Sequence, residues 1–211
     1  TGLSIDPIVV AQKAIPGLYN DITSTEIDNY LAETSAALTV EHPDYSNLAA
    51  RIKSNALHKE TPGFVIATKN LFEDGLLKED YYNKVMENAD EIESIIDYDR
   101  DYSFDYFALT TLIRAYLLKF ENKTIERPQD LWMRVALTVS GNNFNYEHVK
   151  KTYNSLSNGL YTHATPTLFN SGLKMQQLSS CFLIGMEDDS IEGIFNTIKD
   201  TALISKTAGG I

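Results

Sequence analysis

Helix-start signals recur along most of this chain, and they constrain its fold more than any other feature. Asp6, which precedes a proline, predicts the cap of one helix, and Pro43 predicts the start of another. Thr23 and Glu26, three residues apart, form a capping-box pattern between them. Apolar residues at helical spacing follow each start. Strand signals before residue 160 are sparse, so the sequence predicts a mainly α-helical fold with its strands concentrated at the C-terminal end.

The same pattern continues through the middle of the chain. Ser103 is predicted to cap a helix with a strongly apolar stripe, Arg127 to open the next helix and Asn145 to cap another. The acidic and aromatic run Asp97–Tyr102 predicts a surface turn in which Arg100 is paired locally. These patterns favour packing over chemistry.

The single cysteine of the chain, Cys181, lies in its most informative segment. The apolar run Phe182–Ile184 follows it, which is the pattern of a short strand buried on both faces. Asp188–Ser190 then predicts the cap of a helix that runs towards Lys206, and Gly209–Gly210 are predicted to end that helix in left-handed conformation. Taken alone, Cys181 favours a core cysteine over a reactive site, because free cysteine is among the most buried residue types.

Charge and hydropathy exclude several classes of partner. The 211 residues carry a formal net charge of -11, so nucleic acid and anionic membranes, which are polyanions, are poor general partners. No apolar run approaches the length of a membrane span. One cysteine excludes an internal disulfide and fits a reducing compartment, so we expect a cytoplasmic protein. Individual nucleotides stay open as ligands, since a helix N-terminus or a single lysine can hold a phosphate.

Three segments around Cys181 carry a family resemblance. They read HATPTLFNSG at His163–Gly172, QLSSCFLIGMEDDSIEGIF at Gln177–Phe195 and ALISKTAGGI at Ala202–Ile211. In this order and spacing they resemble the start of the catalytic barrel of the class I ribonucleotide reductase large subunit. The likeness extends upstream through IIDYDRDYSFDYFAL, RAYLL and ERPQDLWMRVAL, and it is weakest over residues 62–90.

The resemblance implies three regions. Residues 1–60 resemble the helical part of an ATP-cone, residues 61–160 a helical N-terminal domain, and residues 161–211 the first strand and helix of a ten-stranded α/β barrel that is incomplete in this chain. Ser24 then falls where a hydroxyl near a nucleotide is expected, and Lys59 where a phosphate-binding lysine is expected. The cone's opening β-hairpin is absent, so we expect a partial or degenerate cone that packs without binding ATP. Lys59 alone also fits an ordinary solvated lysine at a helix end.

The resemblance also implies a reaction. This family reduces ribonucleoside diphosphates to deoxyribonucleoside diphosphates for DNA synthesis: a thiyl radical removes the 3′-hydrogen, and two cysteines supply the reducing electrons as a disulfide closes between them. Cys181 matches one member of that pair. Since the chain has no second cysteine, its partner and the radical-forming cysteine are expected outside it. We therefore expect an enzyme part that is inactive without the rest of the barrel.

Substrate contacts are implied residue by residue. Thr165 matches a phosphate-binding position, and Ser180 matches a residue that bonds the ribose or phosphate. Gly209 and Gly210 match glycines that let the backbone pass close to the sugar. Taken alone, Thr165 fits simple turn chemistry and Ser180 fits a satisfied strand hydroxyl. Their grouping around one thiol favours a substrate site.

A deoxynucleotide effector site is implied at the cap of the last helix. Asp189, Ser190 and Ile191 match residues that hold the effector nucleoside, and Lys206 matches a lysine near its phosphates. The acids and Ser190 also fit an ordinary N-cap, with negative charge at the positive end of the helix dipole. The helix after Ser190 is expected to pack against its equivalent in a homodimer.

The implied partners and effectors complete the prediction. They are ATP and deoxynucleoside triphosphates, the nucleoside diphosphate substrate, the remainder of the large subunit, thioredoxin or glutaredoxin, and a small subunit whose metal centre generates the radical. His148 and His163 show no metal spacing with a cysteine or carboxylate, so neither a metal site nor a bound cofactor is expected in this chain. Two alternatives stay open: a helical module that binds nucleotide effectors or complements another chain without its own catalysis, and a helical interaction domain.

Overall fold

The structure of this chain, a computed structural model, describes residues 2–211 and is built mainly from α-helices, as predicted. The helices are α1 (Pro7–Ala14), α2 (Ser24–Ala37), α3 (Asp44–Glu60), α4 (Phe64–Glu73), α5 (Glu79–Glu87), α6 (Ala89–Ile95), α7 (Tyr106–Thr111), α8 (Pro128–Val139), α9 (Tyr146–Ser157), α10 (Thr165–Asn170) and α11 (Ile191–Lys206). Two short strands, β1 (Lys119–Phe120) and β2 (Lys123–Thr124), form a hairpin. Within residues 2–211, no helix combines the length and apolar character needed to cross a membrane.

The chain divides into two compact units. The first extends to Asn70 and includes Glu93–Leu131, and the second comprises Leu71–Ile92 and Trp132–Ile211. These limits do not follow the predicted boundaries after residues 60 and 160, and the three-region division stays a prediction.

Side-chain caps begin the helices where the sequence predicts them. The Asp6 side chain accepts a hydrogen bond from a backbone N–H of α1, and Thr23 and Glu26 form the complete capping box of α2. Asn145 caps α9 and Ser190 caps α11 in the same way. Each cap satisfies an N–H group that has no partner within its helix, which explains why these starts could be predicted locally.

The helix predicted to begin at Ser103 begins later. The Asp105 carboxylate caps α7 by accepting a hydrogen bond from the Ala108 N–H at 2.7 Å. The Ser103 hydroxyl instead donates to the carbonyl of Arg100, closing the 3-10 helix Tyr98–Ser103. The prediction for Ser103 is therefore wrong, because a carboxylate two residues later takes the cap.

Small side chains bring α2 and α3 together in the first unit. Ala32, Ala49 and Ala50 are fully buried where these two helices pack. Helix axes approach more closely when the side chains between them are small. A hydrophobic cluster of Val10, Leu38 and Tyr45 joins α1 to the start of α3 and to the turn between α2 and α3.

The hairpin contradicts the prediction that strands concentrate at the C-terminal end. β1 and β2 pair antiparallel around Glu121 and Asn122, whose φ angles are 48° and 64°. Two consecutive positive φ values define a type I′ turn, which suits the twist of a two-residue hairpin. In the described part of the chain this is the one ladder longer than a single bridge.

The part of α8 from Trp132 onwards belongs to the second unit and is largely buried. Met133, Val135 and Leu137 are fully buried, Arg134 is almost fully buried, and Arg134 Nη1 donates to the Ser171 carbonyl at 2.9 Å. Arg134 thereby connects α8 to the end of α10.

Candidate functional site

Cys181 pairs with Gly210, which follows α11 in the sequence. Cys181 and Gly210 form a parallel β-bridge, in which the Gly210 N–H donates to the Ser180 carbonyl at 2.7 Å and the Phe182 N–H donates to the Gly210 carbonyl at 2.8 Å. Parallel pairing requires a crossover connection, and α11 provides it. Three predicted site residues, Ser180, Cys181 and Gly210, are thus brought into contact.

The thiol of this segment is open to solvent. Cys181 is exposed, and the Ser180 hydroxyl donates to its Sγ at 3.7 Å. Leu183 is also fully exposed, so the prediction of a strand buried on both faces over residues 182–184 is wrong for this structure. A parallel strand is buried only when strands and helices flank it, and Cys181 bridges a single residue here. The alternative of a core cysteine is wrong for the same reason.

Close packing surrounds the two glycines after α11, and it excludes a side chain at Gly209 more strictly than at Gly210. A Cβ on Gly209 would lie 2.6 Å from Ile204 Cγ2 and 2.8 Å from Phe182 Cε2, and one on Gly210 would lie 3.2 Å from the Ser180 carbonyl oxygen. The left-handed residue at this helix end is Ala208, with φ 64°. The prediction that the glycines supply the left-handed conformation is therefore wrong, because Ala208 adopts it and the glycines instead lie close to neighbouring atoms.

The segment that carries Thr165 is a short helix rather than an irregular turn. Thr165 is the first residue of α10, and the Thr167 hydroxyl donates to the Leu178 carbonyl at 3.0 Å. At the other end of α10, Asn170 Nδ2 donates to the carbonyls of Gln177 and Thr207. These bonds attach the helix of Thr165 to the segments that lead into Cys181 and Gly210.

The predicted effector residues lie at opposite ends of α11. Ser190 Oγ accepts from the Gly193 N–H at 2.9 Å and donates to the Asp188 carboxylate, so the predicted cap is confirmed. Asp189 and Ile191 flank Ser190, whereas Lys206 is the last residue of the 16-residue helix. At 1.5 Å per residue, the two ends are about 22 Å apart. The structure thus groups the first three residues and separates Lys206 from them.

Ser24 and Lys59 lie on neighbouring turns of packed helices. Ser24 begins α2, and Asp28 follows it one turn later on the same face. Lys59, in the last turn of α3, donates to Asp28 Oδ2 at 2.7 Å. The predicted phosphate-binding lysine is therefore bonded to a carboxylate of the helix that carries the predicted hydroxyl.

A buried polar cluster in the first unit was not predicted as such. Its members are His58, Tyr98, Asp101, Arg127, Gln129 and Asp130. His58 Nε2 lies 2.7 Å from Asp101 Oδ2, and Gln129 Nε2 donates to Asp101 Oδ1 at 3.0 Å. Arg100 does pair with Asp97, at 3.0 Å, as predicted. The prediction of a surface turn over Asp97–Tyr102 is nevertheless wrong for Asp101, which has no solvent exposure.

Asp130 is the second enclosed carboxylate of the buried polar cluster. It accepts hydrogen bonds from the Tyr98 hydroxyl at 2.7 Å and from the Arg127 N–H at 2.8 Å. Burial raises the pKa of Asp130 to about 8, outweighing the lowering by these bonds and by the Arg127 charge. Burial also raises the pKa of Tyr98, with Asp130 adding to the rise. Only the fold reveals this cluster, because its members come from three distant segments.

One groove of the second unit lies away from the Cys181 segment. It has a volume of about 570 Å³, is lined by Asp80, Lys84 and Asn142 among others, and shares no residue with the Cys181 segment. Lys84 Nζ donates to the carbonyls of Leu137 and Gly141, and burial lowers its pKa. Its ammonium is thus engaged by the protein. Across residues 2–211, no group of three or more His, Cys, Asp or Glu side chains could hold a metal ion.

Comparison with known proteins gives a matching domain family and several similar full-length proteins. Residues 102–176 match the family model described as "Ribonucleotide reductase, all-alpha domain". The chain is 48% identical to ribonucleoside-diphosphate reductase large chain 2 of Saccharomyces cerevisiae, over 98% of this chain and 25% of that protein. It is 46% identical to the large subunits of Arabidopsis thaliana and Variola virus, over 98% of this chain and 26% and 28% of those proteins.

The chain belongs to the family of ribonucleoside-diphosphate reductase large subunits, of which it represents an N-terminal portion. It spans about a quarter of the length of the curated relatives it matches.

Proposed function

We propose that this chain is the N-terminal part of a ribonucleotide reductase large subunit that reduces ribonucleoside diphosphates to deoxyribonucleoside diphosphates. The observation that carries the proposal is the contact among Ser180, Cys181 and Gly210, three residues singled out independently of the fold. The substrate loses its 2′-hydroxyl as water. Two thiols lose two electrons and two protons in exchange and close a disulfide.

Cys181 supplies one thiol of that pair. An exposed thiol with a single hydrogen bond from Ser180 is available to a second thiol on a neighbouring strand, as disulfide closure requires. Ser180 and the backbone at Gly210 border the sugar, and Thr165 at the start of α10 binds substrate phosphate. Thioredoxin or glutaredoxin restores the thiols. The radical that starts the reaction comes from a small subunit.

The segment from Ser180 to Gly210 begins a ten-stranded α/β barrel. What supports this is the parallel bridge with a helical crossover, which is the smallest unit of such a fold. The remainder of the large subunit covers Leu183, which is fully exposed here.

Effector binding and dimer formation both involve α11. Asp189, Ser190 and Ile191 hold the nucleoside of a deoxynucleotide effector, and α11 packs against its equivalent in a homodimer. Four apolar residues more than half exposed on this helix support the dimer: Ile191, Phe195, Ile198 and Leu203. Because Lys206 lies at the far end of α11, it reaches effector phosphates only if the partner copy of α11 brings it near them.

The first 60 residues act as a packing element that does not bind ATP tightly. This is supported by the ion pair between Lys59 and Asp28, which would have to open before the lysine could hold a phosphate. We place the protein in the cytoplasm, which suits a single exposed thiol that must stay reduced.

The experiment that tests this function is Cys181→Ser in the complete large subunit, assayed with its small subunit and a dithiol reductant. Serine has nearly the same size but cannot form the disulfide. We expect the variant to fold and bind substrate but to lose deoxynucleotide formation, with base release in its place. Near-normal turnover under thioredoxin-type reduction would refute the role of Cys181. The alternative is a helical module without its own catalysis. It would be favoured if the chain that complements this one is separately encoded and supplies no further cysteines.

A further inference from the structure

We propose that Asn170 is a positioning residue that holds the Thr165 helix and the two halves of the Cys181–Gly210 bridge in register. The inference rests on the proposed function and goes beyond it. Asn170 Nδ2 donates to the Gln177 carbonyl at 2.7 Å and to the Thr207 carbonyl at 3.2 Å.

The two carbonyls belong to different segments. Gln177 lies four residues before Cys181, and Thr207 lies three residues before Gly210. A primary amide carries two N–H donors on one nitrogen, so Asn170 can bond both carbonyls at once. The Gln177 side chain adds a third bond, with its Nε2 donating to the Thr207 carbonyl at 3.3 Å. The entry to each half of the bridge is therefore fixed by the same amide.

Asn170 also ends the helix that begins at Thr165. That helix is held by two further bonds, from the Thr167 hydroxyl to the Leu178 carbonyl at 3.0 Å and from Arg134 Nη1 to the Ser171 carbonyl at 2.9 Å. Asn170 is the member of this set that reaches both segments. It consequently sets the separation between the proposed phosphate contact and the thiol. A misplacement of about 1 Å can cost about a hundredfold in rate.

Ordinary helix capping gives a different pattern, which the chain itself displays. Asn158 stands directly after α9, and its Nδ2 donates to the Asn154 carbonyl of the same helix at 2.7 Å. That bond closes one helix end and joins no other segment. Asn158 is therefore a matched control for an asparagine whose amide acts only locally.

The test compares Asn170→Asp, Asn170→Ala and the control Asn158→Asp in the complete large subunit with its small subunit. Aspartate keeps the shape of asparagine but removes both donors and points a carboxylate at two carbonyl oxygens. We expect kcat to fall about a hundredfold in Asn170→Asp, with a smaller loss in Asn170→Ala, while KM for the nucleoside diphosphate changes less than kcat. The fraction of substrate lost to base release should rise in both variants. Asn158→Asp should leave kcat, KM and base release unchanged.

Each other outcome overturns the proposal. It fails if both Asn170 variants keep kcat within about twofold of the parent, or if kcat falls only in proportion to the folded fraction measured by thermal unfolding. It also fails if neither variant folds, because Asn170 is then a stability residue. The variant Cys181→Ser distinguishes failure of the Asn170 proposal from failure of the Cys181 proposal. Loss of turnover in Cys181→Ser with normal Asn170 variants refutes only the positioning role of Asn170, whereas retained turnover in Cys181→Ser refutes the proposed role of Cys181 as a reducing thiol.

Discussion

Asp101 and Asp130 in the buried polar cluster are fully enclosed, and each contacts two polar partners, whereas Cys181 is exposed and receives one hydrogen bond from Ser180. Removing one member of an enclosed hydrogen-bonded pair is strongly destabilising, because the buried polar group left behind has no partner and no water replaces it. An exposed thiol makes few contacts that a substitution could remove. The difference separates enclosed residues whose partners are fixed within the first unit from an exposed residue with a single side-chain hydrogen bond.

The largest expected effect is on stability, from opening the buried polar cluster. Asp101→Ala removes the partner of His58 and Gln129 and should lower the free energy of unfolding by about 3–5 kcal/mol. The matched control is Asp99→Ala, two residues earlier and exposed, which should change it by less than about 0.5 kcal/mol. Denaturant titration of the chain measures both. Cys181→Ser should behave like the control, and a loss as large as that of Asp101→Ala would contradict the division between the two regions.

The next effect is a dependence of stability on pH. The pKa of Asp130 is about 8 in the folded chain and about 3.9 when unfolded, so the folded state binds one more proton between these values. The contribution of Asp130 to the free energy of unfolding is fully present below pH 4. It falls by about 1.4 kcal/mol for each pH unit as the pH rises towards 8.

Asp130→Asn supplies the control for this pH dependence. Asparagine is neutral throughout, so denaturant titrations from pH 5 to 8 should show the slope in the parent and its loss in the variant. Equal slopes in parent and variant would assign the pH dependence to other groups.

The smallest expected effect concerns Lys59. Lys59 is more than half exposed in its ion pair with Asp28, so Lys59→Ala should change the free energy of unfolding by less than about 1 kcal/mol. Calorimetric titration should detect weak ATP binding or none at millimolar ATP in both proteins. A micromolar dissociation constant in the parent that Lys59→Ala abolishes would show that residues 1–60 retain a nucleotide site.

Local chemistry explains which predictions from the sequence succeed. The caps at Thr23 and Ser190 involve residues only three apart, and the structure forms both. The start at Ser103 fails because Asp105 offers a competing local cap, which short-range signals alone do not rank.

Long-range contacts explain the rest. The sequence around Asp101 predicts a surface residue, but in the fold His58 and Gln129 from other segments bond its carboxylate. The run Phe182–Ile184 predicts burial on both faces, but burial depends on neighbours that one bridge does not supply. At the candidate site, sequence resemblance singled out Cys181 and its flanking residues. The two hydrogen bonds of the Asn170 side chain could not be predicted in this way, because they join three segments that only the fold brings together.

The single exposed cysteine, which lies in the Cys181–Gly210 β-bridge, gives this chain one natural labelling site. A maleimide dye or nitroxide attaches at one address, Cys181, with no cysteine to engineer in or out. Its emission or line shape then senses whatever comes to cover the neighbouring Leu183. Titrating a labelled chain with the remaining part of a large subunit would therefore test the proposal that this part covers Leu183, as a binding curve read at Cys181.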